Sequence, residues 1–484
     1  MATAIETAIR SFVAKGITTL ADFNRKRLPD PDGPHPYVTG IHAPMRSELT
    51  IDELAVTGTI PPELDGCYLR IGPNPIAADP KSYHWFLGDG MVHGVRLEGG
   101  RARWYRNRWI RSKAVGRALR VPAASGPRHG DLDTVNTNVI GHAGAAWALV
   151  EAGSTPVRLG ETLDDQAYDD FGGTLRGAFS AHPHRDPATG ELHAICYDAI
   201  APNEVRHVVV TADGQVRREV PIPVRNGPSI HDCALTERFV LILDLPVTFS
   251  MAVLIGGHDY PYRWNPSHEA RIGLLPREGR AEDIVWIPVD PCYIFHTLNA
   301  FDLPDGRVVM DAVAYDRMFD QTSQGPDANP RGLERWTIDP DARCVERSML
   351  DPTPQEFPRA DERRTGRPYR FAYSLGLPEA FADQLVGATH IFKHDLEAGT
   401  RQRHDFGRKR FPGEFVFVPR HPDAAEDEGW LVGFVVDMER NATDLAILDA
   451  RAFAAEPVAT VRIPHRVPAG FHGNWIETAN QAAG

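Results

Sequence analysis

The sequence predicts an all-β protein whose sheets close on themselves, and three observations carry that expectation. Short β-branched and aromatic runs recur from about residue 50 onward, among them GCYLRIG, MVHGVRL, FVLILDL, RVVMDAVAY and GWLVGFVVD. Gly, Pro, Asp and Asn separate them, and the 42 glycines and 40 prolines are spread evenly instead of marking a linker. Such strand-turn-strand texture, sustained over more than four hundred residues, would leave long sheet edges exposed unless the sheets close. A β-propeller or a large multi-sheet barrel meets that demand. No signature repeats at about 40 residues, the period of short propeller repeats, so any blades have diverged or carry insertions.

Taken in order, residues 3–27 are the clearest helical candidate. Ile5, Ile9, Phe12, Val13, Ile17, Leu20 and Phe23 recur mostly at three- and four-residue steps, which draws one apolar stripe. The stripe reads as a helix packed on the body. A membrane-surface helix is the alternative, opposed by Glu6 and Asp22, which dilute the basic face. Residues 1–40 are therefore expected to form a helical extension and residues 41–484 a single closed β domain with insertions. The polar, Arg-, Asp-, Gly- and Pro-rich stretches 318–336 and 355–370 are expected to be insertions between strands.

Composition excludes several classes. The chain has 484 residues, 42% hydrophobic and 24% charged, which supports a large globular core. A formal charge of -13 without a basic block argues against nucleic acid as a partner. The five cysteines form no C-x-x-C pair and no even-numbered framework, which points to a reducing compartment. Residues 1–27 lack a signal-peptide pattern, and no run approaches the roughly 18 apolar residues of a membrane span. A cytoplasmic protein is expected.

Short catalytic motifs are absent: there is no H-E-x-x-H, no phosphate-binding glycine loop and no G-x-S-x-G elbow. A site must be assembled from distant segments. Four of the 20 histidines sit beside strand-like runs, in SAHPHRDPATGEL, GPSIHDCALT, YIFHTLNAFD and VPAGFHGNW. A strand end there can aim an imidazole into a central cavity, and imidazole is the commonest transition-metal ligand. Glu151, Glu356 and Glu414 lie among small or apolar residues, where a carboxylate is costly unless paired. The free ring N–H of a ligating histidine would satisfy each of them. Spacing alone supports a metal site only weakly, and AHPH leaves His182 and His184 open.

These segments, in this order, resemble the carotenoid cleavage oxygenase family, which includes carotenoid, apocarotenoid and stilbene dioxygenases and a retinoid isomerase branch. IPPELDGCYLRIGPNP, YHWFLGDGMVHGVRL, NTNVIGHAGAAWALVEAGSTP, EFPR, GEFVFVPR and FHGNW carry the resemblance with the histidine segments, over about residues 50–475. It implies a seven-bladed β-propeller with a helical cap on one face, which is one of the two closed architectures above. It also implies one Fe(II) on the propeller axis, held by His182, His231, His296 and His472, with His184 a neighbour. Glu151, Glu356 and Glu414 would orient three of those rings. The implied reaction is oxidative cleavage of a carbon-carbon double bond by dioxygen, giving two carbonyl products. Thr137 matches a position that the family places near a vacant coordination site.

The resemblance also bears on substrate. Family substrates are long and apolar, and Phe86 and Phe295 match substrate-facing positions. Stilbene-cleaving members carry a Lys just before the first glutamate and a Tyr near RNRW, holding a phenolic oxygen. Here those places are Val150 and Trp109, with Tyr105 as a neighbour of the second. Losing a buried cation that recognises a phenol is expensive for that substrate. The expectation is therefore a carotenoid or apocarotenoid, with a hydroxylated stilbene as the alternative, and contact with a membrane surface while extracting substrate. A non-catalytic propeller scaffold is the reading from a different class.

Overall fold

The computed structural model describes residues 17–379 and 387–477. Seven antiparallel sheets follow one another along the chain as blades. Blade 1 contains Leu49–Asp52, Gly66–Pro73, Gly90–Glu98 and Arg101–Trp109; blade 2 runs from Asn138–His142 to Gln166–Tyr168. Blade 3 runs from His184–Arg185 to Val216–Pro223, and blade 4 from Cys233–Leu235 to Val285–Pro288. Blade 5 covers Tyr293–Asp302 to Cys344–Asp351, blade 6 Gln355–Arg359 to Thr400–Asp405, and blade 7 Arg410–Pro412 to Ala459–Ile463.

Within a blade, burial follows distance from the axis. Tyr293–Asp302 and Gly429–Asp437 are buried almost throughout, whereas the outer strands Cys344–Asp351 and Thr400–Asp405 are mostly exposed. Apolar faces of neighbouring blades pack on one another, as in the cluster shared by blades 4 and 5 around Leu241, Ile272, Met310 and Trp336.

The ring closes at both ends of the chain. Gly473–Glu477 joins blade 1 with Tyr68 opposite Trp475, and Val56–Gly58 joins blade 7 with Val56 opposite Val461. Exchanging strands in this way leaves no blade gap through which the ring could open. It also draws the FHGNW segment onto the axis.

Two expectations need correction. The stretch 318–336 is not all insertion, because Gly332–Asp339 is a strand of blade 5. Likewise Gln355–Arg359 is the innermost strand of blade 6. In Gly332–Asp339 the polar residues pair across the sheet: Glu334 with Arg347 at 2.7 Å and Arg335 with Asp311 at 2.8 Å.

Of the N-terminal helix, residues 17–25 are helical, and residues 3–16 lie outside the described residues. The helical part buries Ala21 but leaves Leu20 and Phe23 exposed. It is tied to the body at its end, where Asn24 Nδ2 donates to the Ile255 carbonyl at 2.7 Å and Arg25 pairs with Asp259 at 2.8 Å. Among the described residues no helix is long and apolar enough to cross a membrane.

Candidate metal centre

All seven blades send one side chain each to the axis. His182 and His231 lie just before the innermost strands of blades 3 and 4, and His472 just before the closing strand of blade 1. His296 differs, lying inside Tyr293–Asp302 where the register slips between Ile294 and Thr297. That bulge turns its ring out of the ladder toward the axis. Blades 2, 6 and 7 supply Glu151, Glu356 and Glu414.

Glu151 and Glu356 are each followed by a residue in the left-handed region, Ala152 at φ 53° and Phe357 at φ 50°. A non-glycine residue there costs on the order of 1–3 kcal/mol and persists where surrounding structure enforces it. Here it bends the strand so that the carboxylate turns inward. The Phe357 ring then lies 5.2 Å from the rings of both His296 and His472.

The four rings are buried and converge. His231 Nδ1 lies 2.7 Å from Glu151, His296 Nδ1 2.6 Å from Glu356 and His472 Nδ1 3.1 Å from Glu414. An ionised carboxylate only accepts, so each Nδ1 carries the proton and each Nε2 presents a lone pair. The Nε2 atoms of His231 and His296 are 3.3 Å apart, and those of His296 and His472 are 3.1 Å apart. His182 Nε2 is buried without a hydrogen-bond partner. Lone pairs converging among buried rings repel unless a cation sits among them. Nitrogens each about 2.1 Å from one ion stand about 3.0–3.4 Å apart at right to tetrahedral angles, so the spacing fits a bound transition metal.

Electrostatics favour the neutral form at two of the four rings. Burial, then the neighbouring imidazoles, holds His182 and His472 well below the usual imidazole range. Burial also pulls His296 down, but the Glu356 carboxylate outweighs it and the net shift is upward. Burial raises Glu414, opposed by the Arg359 guanidinium 3.6 Å away. Each glutamate's second oxygen is also held: Glu151 by the Tyr197 hydroxyl at 2.8 Å, Glu356 by Tyr315 at 2.9 Å, and Glu414 by the Gly473 N–H at 2.9 Å. Gly473 is needed for this approach, since a Cβ there would meet the Leu69 carbonyl at 2.8 Å.

The two sides of the cluster differ in character. Phe295 lies 5.3 Å from the His231 ring, and Phe86 lies 6.0 Å from Phe295. Tyr260, Phe319 and Phe471 complete an aromatic group around Phe86. A cleft of about 1330 Å³ with a mixed polar and apolar lining, which includes neither Phe86 nor Phe295, reaches His182, His296 and His472.

His184, the second candidate in AHPH, is not among the four. Its Nε2 lies 2.8 Å from Asp232 instead. Thr137 is buried beside the cluster, and its carbonyl accepts from the His472 N–H at 3.2 Å. Its hydroxyl donates to Asn136, whose own amide donates to the Phe86 and Gly88 carbonyls at 2.8 Å. Trp109 lies apart from the aromatic group, in a cluster with Met45, Met91 and Val115, and its indole N–H donates to the Asn74 carbonyl at 2.9 Å. Val150 packs at the edge of the apolar cluster between blades 1 and 2, while Tyr105 is buried and bonded to His93 at 2.9 Å. Sequence reasoning missed Tyr197, Tyr315, Phe357, Arg359 and Asp232. Only the positions of Asp232, beside His231, and of Phe357 and Arg359, in EFPR, offered a signal.

The comparisons agree with this geometry. The family model described as Retinal pigment epithelial membrane protein matches residues 42–477. A carotenoid cleavage oxygenase of Mycobacterium tuberculosis is 43% identical over 92% of this chain and 98% of that protein. Among solved structures, cobalt-substituted Synechocystis ACO superposes with a TM-score of 0.79 at 28% identity, covering 90% of this chain and 97% of that one. Pseudomonas brassicacearum lignostilbene dioxygenase gives 0.82 at 28% identity, covering 93% and 99%. A match of this extent, over a seven-bladed propeller with four axial histidines, places the chain in the carotenoid cleavage oxygenase family.

Proposed function

We propose that the chain is a non-haem Fe(II) dioxygenase that cleaves a carbon-carbon double bond of a carotenoid or apocarotenoid, giving two carbonyl products. The observation that carries the reading is the convergence of four buried histidines, three of them braced by glutamates. Iron bound by His182, His231, His296 and His472 would supply the activation of dioxygen. Four neutral ligands leave the full charge of a divalent ion in place, and the outer carboxylates balance it without occupying the ion. Thr137 is assigned to the edge of the open coordination region, and Phe86 and Phe295 to the wall along which an apolar polyene lies. That wall excludes water, and its aromatic faces fix the chain without polar contacts.

Val150 supports a polyene over a hydroxylated stilbene, because an apolar side chain stands where stilbene cleavage calls for a phenol-binding cation. Membrane contact during substrate extraction is part of the proposal. Met251–Ile255 is an all-apolar helix with no buried residue, and exposed Leu20 and Phe23 lie on the helix tied to its end. A cytoplasmic location fits the five free cysteines.

Anaerobic reconstitution with Fe(II), followed by dioxygen and a panel of carotenoids and apocarotenals, should release two shorter carbonyl fragments from at least one compound. Turnover of hydroxystilbenes alone would replace the substrate assignment. A chain that takes up no metal would be a propeller scaffold.

A further inference from the structure

Beneath the histidine cluster, on the cleft side, lies a second ring of polar side chains. Its centre is buried Asp232, next in sequence to His231. Asp232 Oδ1 accepts from the Cys233 N–H at 2.7 Å and lies 2.8 Å from His184 Nε2. Oδ2 accepts from the Thr297 N–H at 2.8 Å and the Thr297 hydroxyl at 2.9 Å. His184 stands two residues after His182, and Thr297 directly follows His296. One carboxylate therefore ties together the segments that carry three of the four histidines.

The fourth is joined from the other direction. Asn138 Nδ2 donates to the carbonyl of Ala181, the residue before His182, at 2.8 Å. Asn474, two residues after His472, donates to the Val139 carbonyl at 2.9 Å and to Asn138 Oδ1 at 3.3 Å. Arg359, on the strand that carries Glu356, donates to Asn474 Oδ1. Asn138, His184, Asp232, Thr297, Arg359 and Asn474 all line the cleft that reaches the histidines.

We propose that Asp232 is a positioning residue, holding His182, His231 and His296 in metal-binding geometry before the ion arrives; this rests on the four-histidine reading above. Converging lone pairs oppose the apo arrangement, so something must hold the backbone segments in place. The glutamates act on ring orientation through Nδ1, whereas Asp232 acts on the segments themselves, through two backbone N–H groups and two side chains. Three donors are committed to the carboxylate, and the Thr297 hydroxyl is shared between it and the Cys233 carbonyl at 2.8 Å. Holding donors in place before binding removes ordering cost from the binding step.

The test is cobalt binding to the apo full-length chain, read as affinity by chelator competition and as the visible spectrum of bound Co(II). Asp232→Asn sets an amide N–H against one of the two donor pairs. It is expected to weaken cobalt binding about 10–100-fold, as losses around metal ligands do, and to shift the cobalt bands. Thr297→Val and His184→Gln each remove one arm and should weaken binding severalfold, with no further loss when added to Asp232→Asn. Wild-type affinity and an unchanged spectrum in Asp232→Asn, even with a lowered melting temperature, would mean a merely structural role and overturn the proposal. Should that variant not fold, unchanged affinity and spectrum in both single-arm variants overturn it instead. A wild-type chain that binds no cobalt overturns the four-histidine reading itself and this proposal with it.

Discussion

At the scale of single residues, the centre is three histidine-carboxylate pairs plus one unbraced histidine. Glu356 illustrates what a brace does. It holds His296 at 2.6 Å and Tyr315 at 2.9 Å while wholly buried, so both of its oxygens are engaged. Glu356→Gln keeps the shape and an acceptor but removes the charge that raises ligand basicity. Iron affinity measured by chelator competition should fall about 10–100-fold while the fold persists; unchanged affinity would show that the carboxylate serves only packing. Much of this was legible in the sequence. Four histidines in distinctive settings and three glutamates stranded among apolar residues pointed to the site, although only the family resemblance separated His182 from His184. Asp232 was legible only as the neighbour of His231, because two of its partners are backbone N–H groups that no side-chain pattern displays. Trp109 was aligned with a substrate position, and the structure places it in a separate apolar cluster.

At the scale of elements, close strand contacts set where the ligands fall. Gly72, in the inner part of blade 1, faces the segment leading into His472, and a Cβ there would lie 2.5 Å from Gly470 Cα. The nearest atoms are all backbone of Gly470 and Phe471, so no flexible group can yield. Gly72→Ala should cost about 1–3 kcal/mol by overpacking and displace His472, lowering both melting temperature and metal content. A stable variant with full metal content would show that the contact is slack. The strands themselves were readable wherever apolar runs were continuous, as in Phe239–Asp244 and Gly429–Asp437. They were missed where buried ion pairs made strand residues polar, as in Gly332–Asp339. Bulges and left-handed residues, which aim His296, Glu151 and Glu356, leave no mark in hydrophobic pattern.

At the scale of the whole molecule, strand exchange closes the ring and makes the centre a property of all seven blades. Buried histidines outside the centre also make the closed ring acid-sensitive. Burial, with Arg185 beside His142 and Arg277 beside His193, lowers these two to about 4, and burial lowers His394 to about 4. The unfolded chain binds these protons near the ordinary value of about 6.5, whereas the folded chain resists them until about 4. The unfolded state therefore holds more protons across that window, and stability falls as pH drops from about 6.5 to about 4. The melting temperature should decline by several degrees over the window, and replacing His193 and His142 with Gln should flatten the slope. A flat profile in the native chain would contradict the assignment.

The claim on which the rest depends is that four imidazoles hold one iron. Iron content together with iron X-ray absorption on the anaerobically reconstituted chain addresses it directly. The account predicts close to one iron per chain, with a first shell of four imidazole nitrogens at about 2.0–2.3 Å, the range of metal-imidazole bonds. Far less than one iron after reconstitution, or a shell in which a protein carboxylate replaces an imidazole, would contradict it.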